Sequence, residues 1–280
     1  MSVIITGSDG FIGKKLVSKL KKKSKIKIIC VGKNYGNLEN KKIWEKLPKA
    51  KFLIHLANRT YSKKTWGTPS KYIERSLKLN MHAVEYCKKH SAKLIFPSSV
   101  VYGDIKKKKL SEKLTPSPAN PYTLSKFLTE NLFYFYSKMF NLKIIILRIF
   151  NVYGFGQKKS FLIPKLFLSL QKKVFLNSIS YKRDFVYIDD VIYAFLKAMS
   201  VKKNFSIINV GGGKSYSIKQ LIKKIFKITK QQLNINYQNK VLPGESLSVC
   251  ADILKAKRVL NWSPKVKMDE GLKKYFNSIA

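Results

Sequence analysis

Acidic residues are scarce in this 280-residue chain: 15 Asp and Glu stand against 56 Lys and Arg, a formal net charge of +41 at pH 7. Cysteine is rarer still, and its three copies, Cys30, Cys87 and Cys250, lie far apart. This argues against a disulfide scaffold or a CxxC metal site, and it favours a reduced, cytoplasmic protein with no bound metal. No apolar run approaches the ~18 residues of a membrane-spanning helix. The first residues lack the basic and apolar segments of a signal peptide, so we expect no membrane partner.

Arginine is also scarce, because only five of the 56 basic residues are Arg and the other 51 are Lys. The lysines are spread from Lys14 to Lys274, and Ile, Asn, Phe and Tyr are plentiful, which is typical of A- and T-rich codon usage. Nucleic-acid recognition usually relies on Arg side chains and on a concentrated basic patch. We therefore do not expect a nucleic-acid partner, although the positive field favours an anionic substrate.

The fold class follows from short apolar runs that alternate with helical patterns. The hydrophobic content of 45% excludes an intrinsically disordered chain. Apolar strands without alternation, separated by helices, predict an α/β fold with a doubly wound parallel sheet of Rossmann type. We expect residues 1–155 to form this domain, with 184–210 returning to it, and 156–280 to form a smaller C-terminal substrate-binding lobe. The predicted strands are 3–6, 26–31, 52–56, 93–96 and 143–148, and the predicted helices are 12–22, 72–89, 122–140, 161–170, 189–200, 217–227 and 269–276.

A glycine-rich loop follows the first predicted strand, where Gly7, Gly10 and Gly13 have the spacing GxxGxxG. The first glycine allows a tight turn, the second a close approach of a pyrophosphate, and the third close packing of helix against strand. The helix that starts here adds free amides and a positive dipole end. The loop, with Phe11 and Ile12, therefore predicts a site for a dinucleotide cofactor.

The second predicted strand ends in Val31-Gly32-Lys33-Asn34 and offers no acidic residue for the adenosine ribose hydroxyls. Lys33 could instead pair with the 2′-phosphate of NADP. In a chain with so many lysines, its position could equally be chance. NAD and NADP therefore both remain open as cofactors.

Tyr122 and Lys126 are four residues apart at the start of a predicted helix, so they lie on one face. A nearby ammonium favours the tyrosinate, so we expect a lowered pKa for Tyr122. Ser98 and Ser99 end a predicted strand, where hydroxyls face the ligand crevice of such a sheet. Together these groups predict proton transfer at a sugar hydroxyl or carbonyl.

Further motifs follow in one order along nearly the whole chain. They are His55-Leu56-Ala57, Asn80, Ser98 to Gly103, Tyr122 with Lys126, Arg148 with Asn151 to Gly154, Arg183 to Asp190, and Ser248 to Pro264. With this set the chain resembles the NAD-dependent epimerase/dehydratase family of extended short-chain dehydrogenases/reductases, and in particular enzymes of the UDP-glucose 4-epimerase type.

The resemblance implies a role for each matching residue. It makes Ser98, Tyr122 and Lys126 the catalytic triad and gives Lys126 a second role in holding the nicotinamide ribose. It places Asn151 and Arg183 on the diphosphate of a nucleotide-diphosphate sugar, where the Arg fork suits phosphate geometry. It also implies a homodimer through the helices 72–89 and 122–140. The further cofactor contacts that it implies are Asn37, Leu38, Leu56, Ala57 and Phe150.

Departures from the family pattern reduce the number of activities that we expect. The acidic pair that follows the catalytic hydroxyl in dehydratases is replaced by Ser99 and Val100, so we do not expect dehydration. The Arg that many epimerases use as a second phosphate clamp is replaced by Leu242, with Lys240 as a possible substitute. The span 33–52 is short, as in compact sugar-nucleotide reductases.

Three functions remain open on these grounds. We expect an NAD(P)-dependent sugar-nucleotide epimerase that acts at C4 through a keto intermediate. The alternative is an NADPH-dependent 4-ketoreductase, and the third is a non-catalytic nucleotide- or RNA-binding protein of the same fold.

Overall fold

The computed structural model describes residues 1–22, 25–58, 66–105, 107–238 and 246–279. The strands are β1 Ser2–Thr6, β2 Lys27–Val31, β3 Phe52–His55, β4 Lys93–Ser98, β5 Ile144–Ile149, β6 Asn151–Tyr153, β7 Val174–Leu176, β8 Lys182–Tyr187, β9 Phe205–Val210, β10 Ser215–Ser217 and β11 Ile235–Tyr237. The helices are α1 Phe11–Lys21, α2 Lys41–Glu45, α3 Pro69–His90, α4 Pro121–Phe140, α5 Leu162–Leu168, α6 Ile188–Met199, α7 Ile218–Thr229, α8 Leu254–Leu260 and α9 Met268–Asn277.

The main sheet is parallel and has the strand order β2-β1-β3-β4-β5-β9. Alternate residues of β1 enter two separate cores: Val3 and Ile5 pack with residues of α1 and α6, and Ile4 packs with residues of α3 and α4. Helices therefore cover both faces, which is why the central strands are apolar at every position. This confirms the predicted α/β fold with a doubly wound parallel sheet.

The connection from β2 to β3 crosses from one side of β1 to the other. In open parallel sheets, ligands bind beyond the carboxyl ends of the strands at such a reversal. Here those ends are Thr6 of β1 and His55 of β3, and the glycine-rich loop starts directly after Thr6. The fold thus places this loop at the ligand crevice.

A smaller layer of β structure lies beyond the main sheet. It contains the three-stranded sheet β10-β8-β6 and the two-stranded sheet β11-β7. The carboxylate of Asp184 on β8 is fully buried and accepts hydrogen bonds from the amides of Gly212, Gly213 and Ala251. Segments that follow the main-sheet strand β9 are thereby fixed to β8. Within the predicted returning segment 184–210, β9 pairs with β5, whereas most of β8 lies in the three-stranded sheet.

The predicted strands and helices are all present, with ends that differ by at most three residues. Local signals explain several of these ends. Asn120 caps α4 in a reciprocal pair with Thr123, and α3 and α4 end at Ser91 and Asn141, both in the left-handed conformation. The short helices α2 and α8 were not predicted, because each is too short to show a clear apolar period.

The three cysteines are free thiols in the structure. Over the described residues, no helix combines the length and the apolar character needed to cross a bilayer.

Candidate active site

The glycine-rich loop is packed so closely that larger residues do not fit. Gly7 has φ +67°, and its amide donates to Val31 O at 2.8 Å, which fixes the loop to the end of β2. A Cβ on Gly13 would lie 2.3 Å from Gly7 O and 2.7 Å from Ser8 O. Gly10 caps α1 without any side-chain acceptor for the first amides of the helix. These amides and the closely packed backbone fit the diphosphate of a dinucleotide.

The end of β3 forms one side of this loop. A Cβ on Gly7 would lie 2.7 Å from Ala57 N, so the two backbones touch. The Ala57 amide donates to Thr6 Oγ1 at 3.2 Å, and the Thr6 hydroxyl in turn lies 2.7 Å from Nδ1 of the buried His55. Burial, with a smaller contribution from Lys126, lowers the pKa of His55 to about 3. His55 is therefore neutral, and its contact with Thr6 holds this hydroxyl beside the predicted cofactor contact Ala57.

The other predicted cofactor contacts lie in segments that follow the carboxyl ends of β1, β2, β3 and β5. Asn37 is exposed, and its side-chain oxygen accepts a hydrogen bond from the Glu39 amide. Leu38 is buried, and its carbonyl oxygen accepts a hydrogen bond from Trp44 Nε1 at 2.8 Å. Phe150 is buried between β5 and β6, and its amide donates to Val210 O. The partly buried contacts Phe11, Ile12 and Leu56 pack against the core beneath the main sheet.

Lys33 opens a single turn of 3-10 helix just after β2, with its side chain exposed. Its backbone amide donates to Asp9 Oδ2 at 2.8 Å. Asp9 lies inside the glycine motif, and sequence reasoning gave it no role. Its position next to residue 33 comes from the contact between the loop and β2, which no local pattern reveals.

Ser98, Tyr122 and Lys126 meet at the carboxyl end of β4. Lys126 is 3% exposed, its Nζ donates to Pro97 O at 2.8 Å, and it lies 5.9 Å from the centre of the Tyr122 ring. The Ser99 side chain hydrogen-bonds Tyr122. Ser98 Oγ is buried and makes no hydrogen bond within the described part of the chain. A buried hydroxyl normally has a partner, so Ser98 is available to a ligand here.

The expected lowering of the Tyr122 pKa is wrong for this structure. Burial raises the pKa of Tyr122, and the hydrogen bond with Ser99 only partly opposes it. Burial also lowers the pKa of Lys126 to about 7, against a smaller opposing effect of Glu130. The physical reason is desolvation, which penalises both the tyrosinate and the ammonium. The spacing along the helix predicted that the two side chains share one face, but it could not predict how completely that face is shielded from solvent.

Asn151 and Arg183 lie on neighbouring strands of the three-stranded sheet. Asn151 on β6 donates through Nδ2 to Asp184 O at 2.9 Å. Arg183 on β8 donates through Nη1 to Ser246 O at 2.7 Å and stacks over the Tyr181 ring. Both side chains are half-buried. The predicted contact Lys240, together with Leu242, lies outside the described residues.

The chain is similar to known proteins over nearly its whole length. A family model described as "NAD dependent epimerase/dehydratase family" matches residues 3–211. The dTDP-4-dehydro-6-deoxyglucose reductase of Escherichia coli is 30% identical, covering 99% of this chain and 97% of that protein. The UDP-glucose 4-epimerase of Thermotoga maritima, solved with UDP-glucose, is 27% identical with a TM-score of 0.92, covering 100% and 99% of the two chains.

A second solved structure carries both a nucleotide sugar and a cofactor. It is the UDP-glucuronic acid 4-epimerase of Bacillus cereus, in complex with UDP-glucuronic acid and NAD. It is 29% identical, has a TM-score of 0.89, and covers 100% of this chain and 99% of its own. On this evidence, the chain belongs to the NAD dependent epimerase/dehydratase family.

Proposed function

We propose that this protein is an NAD-dependent 4-epimerase of a nucleotide-diphosphate sugar. The observation that carries the proposal is the buried hydroxyl of Ser98 beside Tyr122 and Lys126, which has no hydrogen-bond partner among the described residues. It lies at the carboxyl end of β4, on the same edge of the parallel sheet as the glycine-rich loop that follows β1. A hydroxyl donor, a phenol and an amine in a dry crevice suit a substrate whose reacting group is itself a hydroxyl.

When held by the glycine-rich loop at Gly7, Gly10 and Gly13, NAD would supply reversible hydride transfer at the sugar carbon. Tyr122 takes the proton of the sugar hydroxyl as the keto sugar forms. It returns the proton after the keto sugar has rotated to present its opposite face. Ser98 Oγ donates to the reacting oxygen and fixes its position. In its protonated form Lys126, which is held on Pro97 O, favours the tyrosinate of Tyr122 during the reaction. Because Tyr122 is otherwise protonated, proton transfer depends on this charge.

We place the cofactor on residues 1–155 with 184–210, and the nucleotide-diphosphate sugar against residues 156–280. Arg183 and Asn151 would hold the diphosphate from β8 and β6. The support is their position on adjacent strands, with Asn151 bonded to the backbone of residue 184. Lys240 remains a further candidate for the same diphosphate.

An NADPH-dependent 4-ketoreductase is the second candidate. It is favoured by the 30% identity with the reductase of Escherichia coli. The epimerase is favoured by the full-length likeness to the two 4-epimerases at 27% and 29% identity. In the reductase, Tyr122 would supply the proton to a 4-keto sugar instead of exchanging it. The third function, a binding protein without turnover, is disfavoured by the assembled Ser98, Tyr122 and Lys126.

The test starts with the purified protein and no added cofactor. Denaturation followed by mass spectrometry identifies any retained dinucleotide. UDP-glucose and UDP-glucuronic acid are then supplied, and NMR of the sugar H4 proton follows inversion at C4. We expect retained NAD and inversion without added cofactor. An empty site that oxidises NADPH only with a 4-keto sugar would replace the epimerase by the reductase, and salt-sensitive RNA binding without turnover would favour the binding protein.

We further propose a homodimer formed through α3 and α4. Five large apolar side chains on these two helices are 41–63% exposed, and exposed apolar surface favours an interface; they are Met81, Tyr134, Phe135, Met139 and Phe140. Light scattering should report twice the mass of one chain. Phe135→Glu with Met139→Glu should give a monomer, whereas Phe226→Glu, on exposed α7, should not. A wild-type monomer would contradict the dimer.

We place the protein in the cytoplasm, where its three free thiols would stay reduced. Cell fractionation with a cytoplasmic marker tests this location.

A further inference from the structure

The carboxylate of Asp9 lies at the end of β2, although Asp9 belongs to the loop after β1. Its Oδ2 accepts from the Lys33 amide at 2.8 Å. A Cβ on Gly32 would lie 2.2 Å from the same Oδ2 and 2.6 Å from Oδ1. The Asp9 carboxylate thus occupies the space in which a side chain of residue 32 would begin. A side chain at position 32 would therefore displace the Asp9 carboxylate from its present position.

This place in a dinucleotide-binding sheet has a defined chemistry. An acidic group at the end of the second strand, about twenty residues after the glycine loop, accepts hydrogen bonds from the adenosine ribose hydroxyls. Such a group also repels the 2′-phosphate of NADP. In this chain β2 ends in Val31 and is followed by Gly32 and Lys33, so it supplies no carboxylate of its own.

The contacts of Asp9 leave it able to fill that role. Its side chain is exposed, and Oδ1 accepts no hydrogen bond from the described residues. The Lys33 amide holds the carboxylate through Oδ2, which orients the group and leaves the other oxygen for a hydroxyl. The backbone of Lys33 is therefore bonded to the Asp9 carboxylate, so Lys33 is not the only charged residue at the end of β2.

We propose that Asp9 is the residue through which this protein selects NAD over NADP, by replacing from the glycine loop the carboxylate that β2 lacks. The proposal rests on the proposed function only in requiring that the dinucleotide binds at the glycine loop. It does not depend on which sugar is used or on whether the enzyme epimerises or reduces it.

The test compares NADH and NADPH binding by calorimetry, without any sugar, in the wild type and in Asp9→Asn. Asparagine keeps an oxygen for the Lys33 amide and removes only the charge. The wild type should prefer NADH by at least about tenfold, and Asp9→Asn should reduce this preference by at least about tenfold, mainly through tighter NADPH binding. Asp269→Asn, which neutralises an exposed acid paired with Lys224, is the control and should leave the ratio unchanged.

A double variant, Asp9→Gly with Gly32→Asp, moves the carboxylate onto the end of β2 and should restore the preference for NADH. A wild type that binds NADPH as tightly as NADH, or that releases NADP on denaturation, overturns the proposal. So does an unchanged ratio in Asp9→Asn. A protein that selects NADH but converts no nucleotide sugar would overturn the proposed function and support the role of Asp9. A protein that converts a nucleotide sugar but binds NADPH as tightly as NADH would overturn the role of Asp9 and support the proposed function.

Discussion

Arg148 on β5 and Glu130 on α4 form a buried ion pair, in which Nη2 donates to Oε2 at 2.6 Å and Nε donates to Oε1 at 3.1 Å. Both side chains are 3% exposed. Glu130 lies one helical turn beyond Lys126, and its charge raises the pKa of that amine against the effect of burial. The pair therefore connects the main sheet to the helix that carries Tyr122 and Lys126.

Removing one partner of this pair should be costly. Glu130→Gln leaves the Arg148 guanidinium buried without its counter-charge, and we expect a loss of about 3–5 kcal/mol in the free energy of unfolding. Arg148→Met together with Glu130→Met should lose less than the sum of the two single changes, because no charge is then left unpaired. Urea titrations of the wild type and Glu130→Gln measure the first loss, and those of Glu130→Met, Arg148→Met and their double variant measure the coupling. Additive losses would show that the two residues do not act as a pair.

Tyr122→Phe should remove activity while leaving cofactor binding nearly intact. The phenol oxygen is the proposed proton carrier, so we expect kcat to fall by about 10²–10⁴-fold. The dissociation constant for NADH should change by less than about twofold, since the ring remains in place. Tyr136→Phe is the matched control: it lies on the same helix, its hydroxyl donates to Glu85, and its turnover should stay at the wild-type level. Equal turnover in Tyr122→Phe would falsify the mechanism.

Gly13 and Gly10 of the glycine-rich loop should respond differently to alanine. At Gly13 a Cβ would lie 2.3 Å from Gly7 O, so Gly13→Ala should displace the loop, lower the free energy of unfolding by about 1–3 kcal/mol and weaken NADH binding. At Gly10 the nearest atom, again Gly7 O, is 3.1 Å away. Gly10→Ala should therefore cost less stability but still hinder the approach of a diphosphate. Thermal unfolding measures the loss of stability in each variant, and NADH titration measures the loss of binding. Equal losses of stability in Gly13→Ala and Gly10→Ala would contradict this prediction.

Most of the fold was predictable, because its signals are local. The buried strands β1, β3 and β5 are continuous apolar runs, and the long helices α3 and α4 have clear start and stop residues. The glycine spacing and the pair Tyr122 and Lys126 were likewise readable from short patterns. These features depend on residues at most a few positions apart.

The parts that sequence reasoning missed depend on distant contacts. Asp9 reaches the end of β2 only because the loop packs against Gly32, 23 residues away in the chain. The sign of the Tyr122 pKa shift depends on burial beside β4, and the amine of Lys126 is held by Pro97 O, on a different element from its own helix. No spacing rule contains this information.

Lys126 gives a prediction about pH and stability that is independent of the substrate. Burial lowers its pKa from 10.5 to about 7, so between these values the folded protein binds fewer protons at this site than the unfolded chain does. By linkage, the contribution of Lys126 to stability is present above pH 10.5 and is lost as the pH falls through 7. The free energy of unfolding should therefore rise with pH across this interval because of this one amine.

Lys126→Met removes that dependence. From about pH 7 to about pH 9, the wild type should gain about 1–3 kcal/mol relative to Lys126→Met, in urea titrations after bound dinucleotide has been removed. Taking the difference cancels the other titrating groups, including Lys93, whose pKa burial lowers to about 8. Lys138→Met, an exposed position on the same helix, should show no such trend. A flat difference for Lys126→Met would mean that the amine stays charged at neutral pH in the folded protein, and that Tyr122 then has a permanent ammonium beside it.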